Sequence, residues 1–277
     1  MEDHQFRRLL DHLGLSWTGY RKVRKGVKKR VSRHMQALNC SNMAGYLHKI
    51  DKSKEARDEC ERLMTVSISR FFRDKKLWDL LLDEMLPGLI EQHPEKIMVW
   101  SAGCACGEEA YSLNILWDAL ESSDTRSPVL DITATDMNPI TLERARDGIY
   151  PVSSLKEVPE EMRARYFHPE EVGKNYRIKE SLKKGLHWRV HNLLSGTLES
   201  PFQIILMRNN LLTYYHDAIK RAALKNVLCC LGSGGFLIIG SHERLPFEVS
   251  ELHDYGSLSY IFQKRESAGS STFSASG

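Results

Sequence analysis

Several things are missing from this 277-residue sequence, and each absence removes a class of function. No apolar run is long enough for a membrane span, so no membrane insertion is expected. Met1 to Leu10 is polar and charged, which argues against a secretory signal and for a cytoplasmic protein. The six cysteines (Cys40, Cys60, Cys104, Cys106, Cys229, Cys230) match neither a CxxC zinc pair nor a small disulfide scaffold. Free thiols in a reducing compartment are the expectation. There is no internal repeat and no G-x-G-x-x-G fingerprint. The remaining composition, 42% apolar and 27% charged, is that of a globular chain able to hold one large domain or two small ones.

Charge is present but unevenly placed. Residues 1–34 carry ten Lys/Arg against Glu2, Asp3 and Asp11, a local +7 that leaves −4 for the rest of a +3 chain. Helices are expected at 5–13 and about 17–38. In the second, Trp17, Tyr20, Val23, Val27, Val31, Met35 and Leu38 form one apolar face and basic residues cover the others. Shorter helices are expected at 42–49 and 54–64. The first 65 residues thus read as a small all-helical domain. Its basic side is either a solvated face or a dock for an acidic protein segment, with nucleic acid as the alternative partner.

A connector, 66–76, follows. It holds alternating hydroxyls and the pair Phe71-Phe72, read as packing anchors, beside Arg73, a cation expected to have a partner. From 75 onward helices and strands alternate, which indicates an α/β domain with a mostly parallel sheet. Strands are expected at 97–102, 130–136, 202–207, 236–240 and 259–263. Asn175 to Ile178 and Leu186 to Val190 read as a small β-hairpin, Gly232 to Gly235 as a turn, and the Ser/Gly-rich tail from Glu266 as disordered.

The chemistry centres on Val99-Trp100-Ser101-Ala102-Gly103-Cys104-Ala105-Cys106-Gly107-Glu108-Glu109. A β-forming run leads into a glycine turn and then a helical pattern, the local plan of a nucleotide-cofactor site. Gly103 and Gly107 permit positive φ and close backbone approach to a ligand. Two glutamates at the helix start would repel a pyrophosphate. They suit a cofactor bearing an ammonium and ribose hydroxyls, and this points to S-adenosylmethionine. A plain strand-to-helix turn is the rival reading. Leu130 to Asp136 is a second strand ending in an acid, placed where such folds accept ribose hydroxyls; an N-cap role for Asp136 is the rival there.

Taken together, VWSAGCACGEEAYSL, ATDMNPITLERARDGIYP, HNLL, ILMRNN, LGSGGFLIIGSHERLP and the connector TVSISRFFRD resemble the CheR-type chemotaxis receptor methyltransferases, in order over about residues 5–264. The resemblance implies a Rossmann-like class I methyltransferase sheet over 77–265, with a β-subdomain near 170–191 and a helical domain before it. It also implies S-adenosylmethionine as cofactor and methyl-ester formation on glutamates of a receptor-type protein. Carried across by position, the cofactor contacts are Ser67, Ser69, Arg73, Glu109, Asp136, Asn192, Leu193, Arg208 and Asn209. Gly103 joins them from the glycine turn. Arg73 would orient the acceptor carboxylate or fix the cofactor.

This chain departs from the pattern in places. Ser67 and Ser69 replace the Asn and second Thr of T-x-N-x-T, and Ala110 replaces a proline. Thr213 occupies the family's active-site tyrosine position, with Tyr214 supplying the phenol one place on. No Asn/Asp-Pro-Pro-aromatic motif of amide or adenine methylation follows the ILMRNN strand. Two alternatives stay open: the same fold and cofactor with RNA or a small acid as acceptor, and a non-catalytic module that senses the cofactor.

Overall fold

Apolar spacing and side-chain caps set the first layer. In the computed structural model, which describes residues 1–121, 127–171, 173–199 and 201–266, five helices come first. They are α1 (Asp3–His12), α2 (Trp17–Tyr20), α3 (Arg24–Ala37), α4 (Met43–Lys52) and α5 (Lys54–Met64). Asn42 caps α4 by accepting from Gly45 N at 2.9 Å, and Ser53 caps α5 from Ala56 N at 3.2 Å. Each such cap contributes about 1 kcal/mol. The single helix expected over 17–38 is broken at residues 21–23. Tyr20, Val27 and Val31 nevertheless remain buried together with Phe6, Leu9, Tyr46 and Ile50.

Part of the basic surplus is used internally. Arg24 and Lys28 share Asp3, Arg30 donates to the carbonyls of Leu63 and Thr65, and Arg7 lies 4.0 Å over the Trp17 ring. Arg8, Arg21, Lys22, Lys25, Lys29 and Arg33 stay exposed.

A long helical segment then runs as α6 (Lys75–Leu80), a π turn (Leu81–Met85) and α7 (Leu86–Gln92). Pro87 has no N–H to offer the preceding turn, and the wider π turn immediately before it absorbs that loss.

The second layer is a seven-stranded sheet. Its members are β1 (Lys96–Ala102), β2 (Val129–Asp136), β6 (Leu186–Val190), β7 (Phe202–Met207), β8 (Leu231–Ile239), β9 (Leu252–Asp254) and β10 (Ile261–Lys264). The order is β6-β2-β1-β7-β8-β10-β9, with β10 antiparallel to both neighbours and the other pairings parallel. This is a doubly wound sheet with one reversed strand inserted near an edge, the Rossmann-like arrangement expected from the sequence. Helices α8 (Glu108–Glu121), α9 (Pro139–Asp147) and α12 (Asp217–Cys230) are the main crossovers, and α11 (Leu211–Tyr214) is a single turn after β7. Both faces of the central strands are covered, so Val99, Trp100, Ile204, Ile205 and Leu206 are fully buried.

Three expectations need correction. There is no hairpin between 175 and 190. β5 (Asn175–Ile178) instead pairs with β3 (Ile149–Pro151) and β4 (Phe167–Pro169), the latter following α10 (Glu160–Tyr166), in a separate antiparallel sheet. β6 extends the main sheet beside β2. The reason is steric: Gly185, with a positive φ of 73°, brings the backbone so close to Leu130 O that an added Cβ would lie 2.7 Å from it. The chain thereby turns onto β2 rather than back onto β5. Finally, Gly232 to Gly235 lies inside β8, where a register shift opposite Phe202 and Ile204 and a positive φ at Gly234 mark a bulge. The serine-rich tail at 267–277 lies outside the described residues.

Candidate active site

Parallel strands end at one edge of the sheet, and the loops after β1, β2, β6 and β7 meet there. They enclose a hollow of about 300 Å³, at the lower end of the roughly 300–1,000 Å³ usual for small-molecule sites.

The loop after β1 is held in an unusual backbone shape. Gly103, Ala105 and Gly107 all have positive φ (79°, 51°, 87°). Glycine takes this freely, whereas alanine pays about 1–2 kcal/mol. Surrounding bonds enforce the shape: Gly103 N and Cys104 N donate to Thr135 O at 2.8 Å each, and Tyr150 Oη donates to Cys106 O at 2.7 Å. Ala105 N donates to Asp136 Oδ2 at 3.0 Å. No side chain larger than hydrogen fits at 103 or 107, because a Cβ would meet Asn210 at 2.2 Å or the Trp188 ring at 2.6 Å.

Asp136 lines the hollow. It is not the cap of α9; Asn138 is, accepting from Ile140 N at 3.1 Å. Asp136 Oδ1 accepts from Asn138 N and Thr141 Oγ1. Burial pushes its carboxyl above the ordinary range, while the Asn138 and Ala105 N–H groups hold it back. Beyond β6, Asn192 and Leu193 form the next wall, and His191 packs edge-on against Trp100 at 5.9 Å.

The buried cation is Arg208, not Arg73. The Arg208 side chain is 4% exposed, donates to Glu109 Oε2 at 2.9 Å, and also pairs with Asp74. Ser101 Oγ donates to the other oxygen of Glu109. Arg73 lines the same hollow, yet among the described residues no carboxylate pairs with its guanidinium. The connector presents it under strain. Phe72 and Asp74 on either side have φ of 52° and 66°, a conformation that bulky residues adopt only when their surroundings compel it. The compulsion comes from Phe71 and Phe72, buried anchors as expected, and from Phe72 N donating to Ser112 Oγ at 3.0 Å. Ser67 and Ser69 lie along the same wall.

At the end of β7, Asn209 (φ 54°) and Tyr214 complete the lining. Burial and the Glu243 carboxylate push the Tyr214 phenol upward, with Arg73 opposing. Thr213 turns elsewhere: its hydroxyl donates to Glu243 Oε1 at 2.6 Å. Ser67, Ser69, Arg73, Gly103, Glu109, Asp136, Asn192, Leu193, Arg208, Asn209 and Tyr214 therefore border one hollow, whereas Gly107 does not, and Glu108 is buried away from it, accepting from Ser154.

Sequence reasoning missed the wall from the first layer: Leu13, Leu15, Tyr20, Arg57 and Glu61. Ser16 N donates to Tyr214 O (2.8 Å) and His216 N to Gly14 O (2.9 Å), and the Tyr20 and Tyr214 rings pack at a tilt with centroids 4.9 Å apart. No local pattern carries contacts two hundred residues apart.

Comparison with known proteins agrees with this geometry. Residues 67–260, more than half of the chain, match the family described as CheR methyltransferase, SAM binding domain. A chemotaxis protein methyltransferase of Listeria innocua is 34% identical over 84% of this chain and 86% of its own length. The Listeria monocytogenes counterpart is 33% identical over the same shares. One from Borreliella burgdorferi is 26% identical over 79% of this chain and 80% of its own. The residues fit the cofactor that family uses. A carboxylate at Glu109 suits an ammonium, and one at Asp136 suits ribose hydroxyls, and both line the hollow. The acid-rimmed hollow at the sheet edge and the match across two thirds of the sequence thus lead to one assignment: this chain belongs to the CheR family of S-adenosylmethionine-dependent methyltransferases.

Proposed function

We propose that the protein methylates glutamate carboxylates of a receptor-type chemotaxis protein, forming methyl esters. The observation that carries this reading is Arg73, a guanidinium bordering the hollow without an internal carboxylate partner. Its fork matches a carboxylate with two parallel hydrogen bonds. S-adenosylmethionine, when bound, supplies an electrophilic methyl group on a sulfonium sulfur that leaves as a neutral thioether. A glutamate is already ionised at neutral pH, its reference pKa being about 4.3, so it requires no general base. What the chain must do is align and exclude water, which supplies roughly 7–11 kcal/mol in well-oriented reactions.

The roles divide accordingly. Asp136 accepts ribose hydroxyls. Asn192 and Leu193 wall the base. Glu109, braced by Arg208 and Ser101, faces the ammonium. Gly103 lets backbone close on the cofactor, and Ser67, Ser69 and Asn209 hold its amino-acid end. Arg73 and the neutral Tyr214 phenol orient the acceptor. The exposed Arg21, Lys22, Lys25, Lys29 and Arg33, before and along α3, complement an acidic substrate segment.

The test is methyl transfer from labelled S-adenosylmethionine to a chemotaxis receptor fragment and to its Glu→Gln variant. Label incorporated into the glutamate form alone, and released as methanol by mild base, supports the ester. A base-stable product rejects it.

A further inference from the structure

We infer that Glu243, a buried carboxylate that does not border the hollow, is a positioning residue that fixes Asn209 and the Tyr214-bearing helix relative to the cofactor. The inference deepens the reading above and rests on it for the roles of those two residues.

Glu243 is buried, 5% exposed, in the turn that follows β8. Its oxygens accept from three separate segments. Oε2 takes Asn209 N at 2.9 Å and Gly240 N at 2.7 Å; Oε1 takes the Thr213 hydroxyl at 2.6 Å. The Glu243 backbone N–H donates to Gly240 O at 2.8 Å, so the carboxylate is tied at both ends to one tight turn. The packing leaves no slack. A Cβ at Gly240 would sit 2.8 Å from Asn209 Oδ1 and from Glu243 Oε2.

Two of these bonds reach the hollow. Asn209 holds a left-handed backbone, φ 54°, a region that asparagine tolerates, and Glu243 captures its N–H there. Thr213 stands beside Tyr214 on α11, a four-residue turn too short to hold its own shape. Its supports are the Asn210 cap, the Ser16 strap on Tyr214 O, and the Thr213–Glu243 bond. Thr213 is thus part of the latch, and the residue after it presents the phenol. Without Glu243, the half-buried Asn209 N–H loses its acceptor, and α11 can rotate about its remaining supports.

The test pairs calorimetric titration of S-adenosylhomocysteine with methyl-transfer kinetics on the receptor fragment, for Glu243→Met, Thr213→Val and Thr213→Ser. Methionine fills similar space and offers neither Asn209 N nor Thr213 an oxygen. Glu243→Met is expected to weaken S-adenosylhomocysteine binding about fivefold or more, through the misplaced Asn209. Thr213→Val is expected to leave that affinity within about twofold while lowering kcat about tenfold, because only α11 is freed. Thr213→Ser keeps the hydroxyl and should match wild type in both. Wild-type affinity and kcat in Glu243→Met overturn the inference, as does a Thr213→Ser enzyme as impaired as Thr213→Val. If Glu243→Met fails to fold, the Val/Ser pair decides. A wild-type protein that binds S-adenosylhomocysteine but esterifies no carboxylate sinks the acceptor reading alone, since the Glu243→Met titration needs no acceptor.

Discussion

Replacing Arg208 by methionine should cost more stability than any other single change in the hollow. The side chain is 4% exposed and stands between Glu109 (14%) and Asp74 (26%). Methionine fills similar space but leaves two carboxylates facing each other without a counter-charge. Removing one partner from a buried pair costs about 3–5 kcal/mol, against a total of about 5–15 kcal/mol for a typical fold. At about 2–4 °C per kcal/mol for a protein of roughly this size, the melting midpoint should fall by about 6–20 °C. The lower half is the better expectation, because water reaches Asp74. Lysine keeps the charge but has no fork to span both acids, so it should fall between. Adding Asp74→Asn and Glu109→Gln to the methionine variant removes the stranded charges and should recover several degrees. Circular-dichroism melts in the absence of cofactor read all of this. An Arg208→Met protein melting within about 2 °C of wild type would refute the reasoning, since the ion triad would then contribute almost nothing.

Arg73→Gln should behave oppositely: a midpoint unchanged within about 2 °C, because no internal pair is lost, but kcat/KM for the acceptor lowered by about tenfold or more, read in paired melts and transfer assays. The raised carboxyl of Asp136 gains its proton at a higher pH than an ordinary aspartate, and only the ionised form accepts two hydroxyls. Affinity for S-adenosylhomocysteine should therefore fall as pH is lowered, and calorimetry on Asp136→Asn should give weak binding with that dependence gone. Gly107→Ala forces a left-handed alanine and a Cβ 2.6 Å from the Trp188 ring. It should lower stability by about 2–5 kcal/mol in urea unfolding.

Local pattern revealed the α/β plan and the loop residues because both are written over short stretches. Val99 to Glu109 shows strand, glycine turn and helix start in eleven consecutive residues, and the structure keeps that order. Pairing between strands is a different matter. Asn175–Ile178 and Leu186–Val190 look like neighbours, and nothing in Leu186–Val190, an edge strand with one buried residue, names β2 as its partner. The glycines at 232–235, read as a turn, form a bulge in β8, since both need the same backbone freedom. α11 is too short for a helical period to appear. For Arg73 and Arg208 the residue types were legible, but which cation was neutralised depended on Asp74 and Glu109, which lie 134 and 99 residues from Arg208 in sequence.

The strap joining Gly14 and Ser16 to Tyr214 and His216 has a consequence for anyone recombining these proteins. Gly19 lies so near Thr213 O that even a methyl group would stand 2.2 Å from it. A chimera carrying another relative's first 65 residues must therefore reproduce a glycine at that point and a free main-chain edge four residues earlier. Otherwise the borrowed segment seats askew and the catalytic half inherits a misshapen floor. The natural unit of exchange is not the helical segment but the segment together with residues 209–216.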